Sequence, residues 1–253
     1  PQVMEGWHGV RFTSPVQRTR ETIEIVRSIA RGERLQHGGR VYRLPLPDSA
    51  GRPMRSAAPP VEVPIYVASL GPANLRMTGE LAEGWLGAAF IPETAEVFLG
   101  DLRAGAESAR RSLADIDLNV PVSVEFSDDI DEAAKRHSRG YAFTFGAMGS
   151  REKNFYNEAF ARQGFGEDVS EVQRLWLDGR RDAAADRVPA EIGLKTNLLG
   201  TPAMVTDRLR AYRDAGVTTL RAAPAGKDVP ARLDTLGALI DLVDEVNRET
   251  TAH

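Results

Sequence analysis

The sequence predicts an α/β protein built on parallel strands, and three observations predict it. Continuous apolar runs such as "VPIYVASL" (residues 63–70) carry the pattern of strands buried on both faces. Each run is followed by apolar residues at helical spacing. Strand and helix then alternate through most of the chain, the signature of a parallel sheet covered by helices.

Ser14 and Pro15 open the first helix as N-cap and first-turn proline. Val16, Ile23, Val26 and Ile29 follow at helical spacing, and Gly32 stops it. "LQHGGRVYRL" (residues 35–44) reads as a hairpin of two short strands around Gly38-Gly39. Residues 45–60 are rich in Pro, Ser and Gly and read as a long exposed loop within one domain. After strand 63–70, a helix from Pro72 carries Leu75, Met77 and Leu81 up to Gly84. A strand at 85–91, a helix over 93–113 and a strand at 119–126 come next. Residues 130–188 break the alternation and read as a helical insertion. The pattern returns with Thr201-Pro202 starting a helix whose Val205, Leu209 and Tyr212 share a face before Gly216. A strand at 218–223 and a terminal helix complete it, with a further short strand near 192–199.

Four principal strands make either a small open sheet or half of a (β/α)8 barrel whose other half lies before Pro1. The chain begins with Pro rather than Met, so a processed or truncated chain is expected. We read residues 1–253 as a single domain.

The totals narrow the function. A net charge of -4, with arginines scattered among Asp and Glu, argues against a nucleic-acid partner. Cysteine is absent, which excludes disulfides, thiolate metal sites and Cys nucleophiles. His8, His37, His137 and His253 show no ligand spacing, so no metal is expected. No apolar run reaches the ~18 residues that span a bilayer, and a cytoplasmic protein without a membrane partner is expected.

In such folds ligands gather at the carboxyl ends of the strands. Those ends are Ala68 to Gly71, Ala89 to Pro92, Phe126 to Asp128 and Ala223 to Lys227. The first suits a phosphate: Gly71 permits close backbone approach, Ser69 offers a hydroxyl, and a helix N-terminus follows. The alternative is that Gly71-Pro72 merely starts a helix. "EGWHG" (residues 5–9) places Glu5 and His8 where either could act as acid, base or hydrogen-bonding group, or else Trp7 plugs a packed loop. "MGSREKNFYN" (residues 148–157) sets Arg151 and Lys153 beside aromatics, as a substrate-grasping lid or as a helix start capped by Ser150. Arg221 lies inside a strand, so it faces a polar mouth or pairs with an acid, while Lys227 reads as surface. No Ser-His-Asp order or paired carboxylates emerge, and the catalytic residues stay unassigned.

The segment from Gly71-Pro72 through Gly79-Glu80 to Trp85-Leu86 resembles the bacterial-luciferase-like superfamily of flavin- and deazaflavin-dependent oxidoreductases. "PQVMEGWHGVRF", "YVASLGP", "GAMGSREKNFYN" and "LLGTPAMVTDRLRAYRDAGVTTL" resemble its coenzyme F420-dependent branch. That resemblance implies a (β/α)8 TIM barrel of the luciferase-like type, with this chain holding only the second half and the helical insertion. It implies that Ala68, Ser69, Leu70 and Gly71 hold the phosphate of the cofactor's ribityl tail, with Gln2 nearby. It implies hydride transfer between the deazaflavin C5 and a small organic substrate, in a homodimer or other homo-oligomer. Two alternatives stand beside it: an FMN-dependent monooxygenase of the same superfamily, and an inactive half-barrel that serves as an association module.

Overall fold

Strands form where the apolar runs place them, though several are shorter than expected. The computed structural model describes residues 1–150 and 152–251, which divide into two compact units. The first unit holds Pro1–Trp85 and Gly100–Ile116, and the second holds Leu86–Leu99 and the chain from Asp117 on.

In the first unit, α1 (Gln2–Gly6) precedes α2 (Pro15–Ala30). The short helix α1 and the 85% exposed Trp7 correct the expectation of a packed loop plugged by that indole. Ser14 adopts a left-handed backbone (φ 48°) and its side chain caps nothing, so Pro15 at the first turn sets the start of α2. The expected hairpin is present as β1 (His37–Gly38) and β2 (Arg43–Leu44), antiparallel with His37 opposite Leu44.

The loop between them is held by Glu21 of α2, which is 1% exposed. Its carboxylate accepts from the backbone N–H of Arg40 (2.8 Å), Val41 (3.0 Å) and Tyr42 (2.7 Å) and from Gln17 Nε2 (2.8 Å). Gly39 is required there, because a Cβ would lie 2.2 Å from Glu21 Oε2. Burial raises the Glu21 carboxyl, but the Gln17 bond and then the three backbone donors outweigh it and bring it down to about 2.

Strand β3 (Tyr66–Ala68), α3 (Pro72–Leu81), β4 (Gly84–Leu86) and α4 (Glu96–Ser108) follow. Ile23, Val67, Met77 and Ala82 form the buried apolar cluster of this unit. Helices α3 and α4 meet backbone to backbone: a Cβ on Gly79 would stand 2.0 Å from the Leu102 carbonyl, and one on Gly105 1.9 Å from that of Arg76.

In the second unit β5 (Asp117–Phe126) is the central strand. The helical insertion contains α5 (Ile130–Arg139), α6 (Tyr141–Ala147), α7 (Phe155–Phe160), α8 (Gly166–Leu177) and α9 (Arg181–Arg187). Its apolar cluster, which also takes in Ile91 and Ile192, has Phe145 and Phe160 meeting edge to face at 5.0 Å, with Phe165, Val172 and Leu175 packed around them. Helix α10 (Ala190–Lys195) takes the first half of the strand expected near 192–199, and β6 (Leu198–Gly200) the second. Then come α11 (Pro202–Asp214), β7 (Thr219–Pro224) and α12 (Val229–Thr251).

Both β6 and β7 pair with β5 in parallel, Val124 opposite Leu198 and Val122 opposite Ala222. This is the expected parallel α/β arrangement. Thr201 caps α11 as predicted, accepting from Met204 N (3.4 Å), and Val205, Leu209 and Tyr212 are buried on its inner face. Among the described residues no helix is long and apolar enough to cross a membrane.

Candidate functional site

After Ala68 the chain turns through Ser69, Leu70 and Gly71 into α3. Gly71 is the N-cap in an extended conformation (φ -82°, ψ 148°), no side chain caps the helix, and Pro72 occupies its first turn. The first helical bond runs from Leu75 N to the Gly71 carbonyl (2.9 Å), so the N–H groups of Ala73 and Asn74 precede it and have no helical acceptor. A Cβ on Gly71 would meet nothing within 4 Å, so the space beside Gly71 at the start of α3 is open. The other end of α3 is closed by Arg111, whose guanidinium donates to the carbonyls of Gly79 (3.2 Å), Glu80 (3.3 Å) and Ala82 (2.7 Å). A cation thus sits at the negative end of the helix, while its positive end is open to an anion.

Of the four residues expected to touch the phosphate, Ala68 is exposed, Leu70 is half-buried and Gly71 borders the open space. Ser69 is different. It is buried, and its Oγ lies 3.0 Å from Thr78 Oγ1, which itself donates to the Asn74 carbonyl (2.7 Å). With the Thr78 proton spent, Ser69 is the donor in their bond, and no proton remains for a ligand. Ser69 therefore positions the loop rather than offering its hydroxyl as a donor. Its carbonyl is fixed by Trp85 Nε1 (2.9 Å), and Trp85 is fully buried.

The segment from Gly79 to Trp85 is the loop's scaffold. Gly79 admits α4, and Glu80 takes a two-pronged bond from Arg20, one prong at 2.7 Å. Glu83 binds Arg27 (2.5 Å) and the Ile65 N–H (2.8 Å), which ties down the chain entering β3. Gly84 lies flat against Tyr66, whose ring would be 2.2 Å from a Cβ there.

The remaining candidates are dispersed. Gln2 is exposed on α1, and His8 is exposed in the turn after it. Glu5 is occupied by the Phe12 N–H (3.0 Å), so it staples its own loop. Arg151 lies outside the described residues. Lys153 is exposed and stacks on Phe155 at 5.5 Å. The expected Ser150 cap is a misassignment by one turn: Asn154 caps α7, accepting from Tyr156 N (3.0 Å) and Asn157 N (3.2 Å) while its amide donates to the Phe145 carbonyl (3.0 Å). Among the described residues Arg221 pairs with no acid, and its Nε donates to Asn119 Oδ1 (2.6 Å).

Two arrangements escaped sequence reasoning. At the carboxyl end of β5, Glu125 binds Arg136 (2.5 Å) and His137 Nε2 (2.8 Å). Burial raises that carboxyl, but the Arg136 and His137 bonds overcome it and hold it below the ordinary range. After β4, Ala89 takes a left-handed backbone (φ 58°), and its carbonyl is held by the buried Gln163 Nε2 (2.7 Å). A strained non-glycine residue at a strand's carboxyl end is a site feature that no sequence motif announces. Among the described residues no group of three or more His, Asp or Glu is placed to hold a metal.

The sequence profile of the luciferase-like monooxygenase family matches residues 1–219. The chain belongs to this family. It is 33% identical over 229 residues to a Mycobacterium tuberculosis protein named as a coenzyme F420-dependent oxidoreductase (Rv3520c), covering 87% of this chain and 66% of that one. A 5,10-methylenetetrahydromethanopterin reductase of Archaeoglobus fulgidus is 26% identical over 235 residues, covering 90% of this chain and 67% of that one. The solved structure of the coenzyme F420-dependent tetrahydromethanopterin reductase of Methanopyrus kandleri superposes with a TM-score of 0.72 at 22% identity, covering 94% of this chain and 70% of the other. The luciferase-like α/β fold is thereby shown. The chain spans about two thirds of the length of these curated relatives. Because the matches run over most of this chain, they do not support the narrower expectation that it is a carboxyl-terminal half alone.

Proposed function

We propose that this luciferase-like chain serves an F420-dependent oxidoreductase acting on a small organic substrate. One observation carries the reading: the uncapped N-terminus of α3 at Gly71, open to space and held rigid from behind by Ser69, Thr78 and Trp85. The residues fit a phosphate. Backbone N–H groups of Ala73 and Asn74 supply donors, the helix adds its positive end, and the absence of a side chain on Gly71 leaves room for the group. Ala68 and Leu70 border the same turn, and Gln2 is read as a further contact.

Coenzyme F420, when bound, supplies a deazaflavin ring that gives or takes a hydride at C5. The work left to the chain is to hold and orient. Arg111 and the tight α3–α4 crossing fix the helix, while Trp85 and Glu83 fix the strands on either side. Such a site needs few ionisable residues, in keeping with the lack of a Ser-His-Asp set.

The name of the mycobacterial relative and those of the F420-dependent glucose-6-phosphate dehydrogenases favour F420 over FMN. FMN also carries a ribityl phosphate, so the loop by itself accepts either. A second reading, an FMN-dependent monooxygenase, is supported by the fold shared with an FMN-complexed Baeyer–Villiger monooxygenase (TM-score 0.52). Fluorescence titration with both cofactors decides: F420 binding at micromolar concentration with weak FMN binding supports the deazaflavin reading, and the reverse order refutes it.

The strands are read as part of a (β/α)8 barrel in one domain, as membership of the luciferase-like family suggests. A homo-oligomer is the proposed assembly. Sizing chromatography tests it, and a chain that associates without binding either cofactor would favour the association-module reading.

A further inference from the structure

Helix α12 is apolar on more than its buried side. Leu239 and Val246 are buried. Val229, Leu233, Leu236, Ile240 and Val243 recur at intervals of four and three residues, the spacing of a helix face packed on another element. Yet Leu233 and Ile240 are 61% and 51% exposed. Beside this face lies a groove of about 340 Å³ lined by Leu209, Tyr212, Leu220, Leu236, Ile240 and Val243. An apolar face left open beside an apolar groove marks a docking surface. Its rim is acidic: α12 carries five acids against two arginines, and Asp241 and Asp244 follow Ile240 and Val243 directly.

The opposite chemistry lies in the first unit. Residues 31–60 carry six arginines against Glu33 and Asp48, in a chain whose net charge is -4. In the loop after β2, Met54 is 78% exposed and stands between the exposed Arg52 and Arg55. Its backbone is fixed, because the Met54 carbonyl accepts from Leu35 N (2.7 Å), so the side chain is held out toward solvent. Among the described residues neither Arg52 nor Arg55 meets a carboxylate, and the carboxylates of Asp241 and Asp244 meet no cation. Arginines elsewhere close within the chain, as Arg20 does on Glu80 and Arg210 on Glu249.

We propose that the loop of one copy docks on α12 of a second copy, with Met54 entering the groove beside Ile240 and Val243, and Arg52 and Arg55 meeting Asp241 and Asp244. This names the interface of the homo-oligomer proposed above and rests on that reading, not on the cofactor. The charges favour a second copy as occupant, because one chain carries both complementary halves. Each copy presents both, so the contact is heterologous. Methionine is long, unbranched and adaptable, which suits an irregular apolar groove. Exposed ion pairs are individually weak, so the apolar anchor holds the contact and the charges set its register.

Sedimentation velocity on the whole chain tests this at ~0.1 M and ~1 M salt, between which the screening length falls from about 10 Å to about 3 Å. Wild type is expected to associate, and less so at high salt. Arg52→Glu with Arg55→Glu should weaken association at least about tenfold, as should Asp241→Arg with Asp244→Arg, and Met54→Ser at either salt. Mixing the two charge-reversed proteins should restore association, because each now supplies the charge that the other's surface requires. Circular dichroism matching that of wild type, together with this rescue, separates a lost contact from a lost fold. Charge-reversed proteins that associate as wild type does, or that keep the wild-type fold and stay apart when mixed, overturn the interface and leave the homo-oligomer in place. A wild type that sediments as a monomer at every concentration overturns the homo-oligomer reading itself, and the interface with it.

Discussion

Replacing Glu21 by Gln tests how a single carboxylate organises the segment ahead of β3. Glu21 is 1% exposed and accepts from three successive backbone N–H groups and from Gln17. Its carboxyl lies at about 2 against an ordinary 4.5. The lowered value means that the ionised form is the one the fold stabilises. Hydrogen bonds to a charged acceptor are worth about 1.5–3 kcal/mol each, and the cost of burying the carboxylate offsets much of their sum. An amide keeps one acceptor oxygen but turns an NH2 group toward backbone donors, so Glu21→Gln is expected to lose about 3 kcal/mol. Because the folded value is lowered, the contribution is complete above the ordinary carboxylate value and is lost as pH falls from 4.5 toward 2. Urea denaturation from neutral to acid pH reads the loss, and hydrogen exchange at Arg40, Val41 and Tyr42 reports it locally. A variant within about 0.5 kcal/mol of wild type at neutral pH, with the same acid slope, would refute the reasoning.

Other substitutions probe the scaffold of the loop. Gly79→Ala gains helix propensity but drives a methyl against the Leu102 carbonyl, so thermal melting is expected to show a loss of about 1–3 kcal/mol. Arg111→Ala strips the C-terminal carbonyls of α3 of their partner and should cost about 2 kcal/mol in urea. Ser69→Ala removes a hydroxyl already spent on Thr78. It should lower stability by about 1 kcal/mol yet leave F420 affinity within about threefold, as fluorescence titration would show.

Much of the architecture was legible because it depends on local signals. Pro72 and the Thr201-Pro202 pair announce helix starts, Gly216 ends α11 at φ 89°, and alternating buried valines mark β5. Ser14 and Ser150 misled, since a serine near a helix start reads the same whether or not its side chain reaches a backbone N–H. The strand lengths misled for a related reason: "VPIYVASL" and "WLGAAFI" are apolar beyond the point where a neighbouring strand pairs with them. At the candidate site, Gly71 and its helix were visible as residue types, but the use of Ser69 was not. That depends on where Asn74, in the first turn of α3, and Thr78, one turn further on, fall. Long-range partnerships left even less trace. The anchoring of Arg221 by Asn119 spans about a hundred residues, and the grip of Gln163 on Ala89 joins an insertion to a strand end.

The most direct test of the central claim is F420 affinity in Gly71→Ala, beside its thermal melt. The backbone of Gly71 is one that any residue adopts, and a Cβ there touches nothing in the protein, so the fold should be unchanged. The same methyl would occupy the space assigned to the phosphate. The account predicts micromolar F420 binding by wild type and at least about tenfold weaker binding by the variant at the same melting temperature. Equal binding by the two proteins would contradict it.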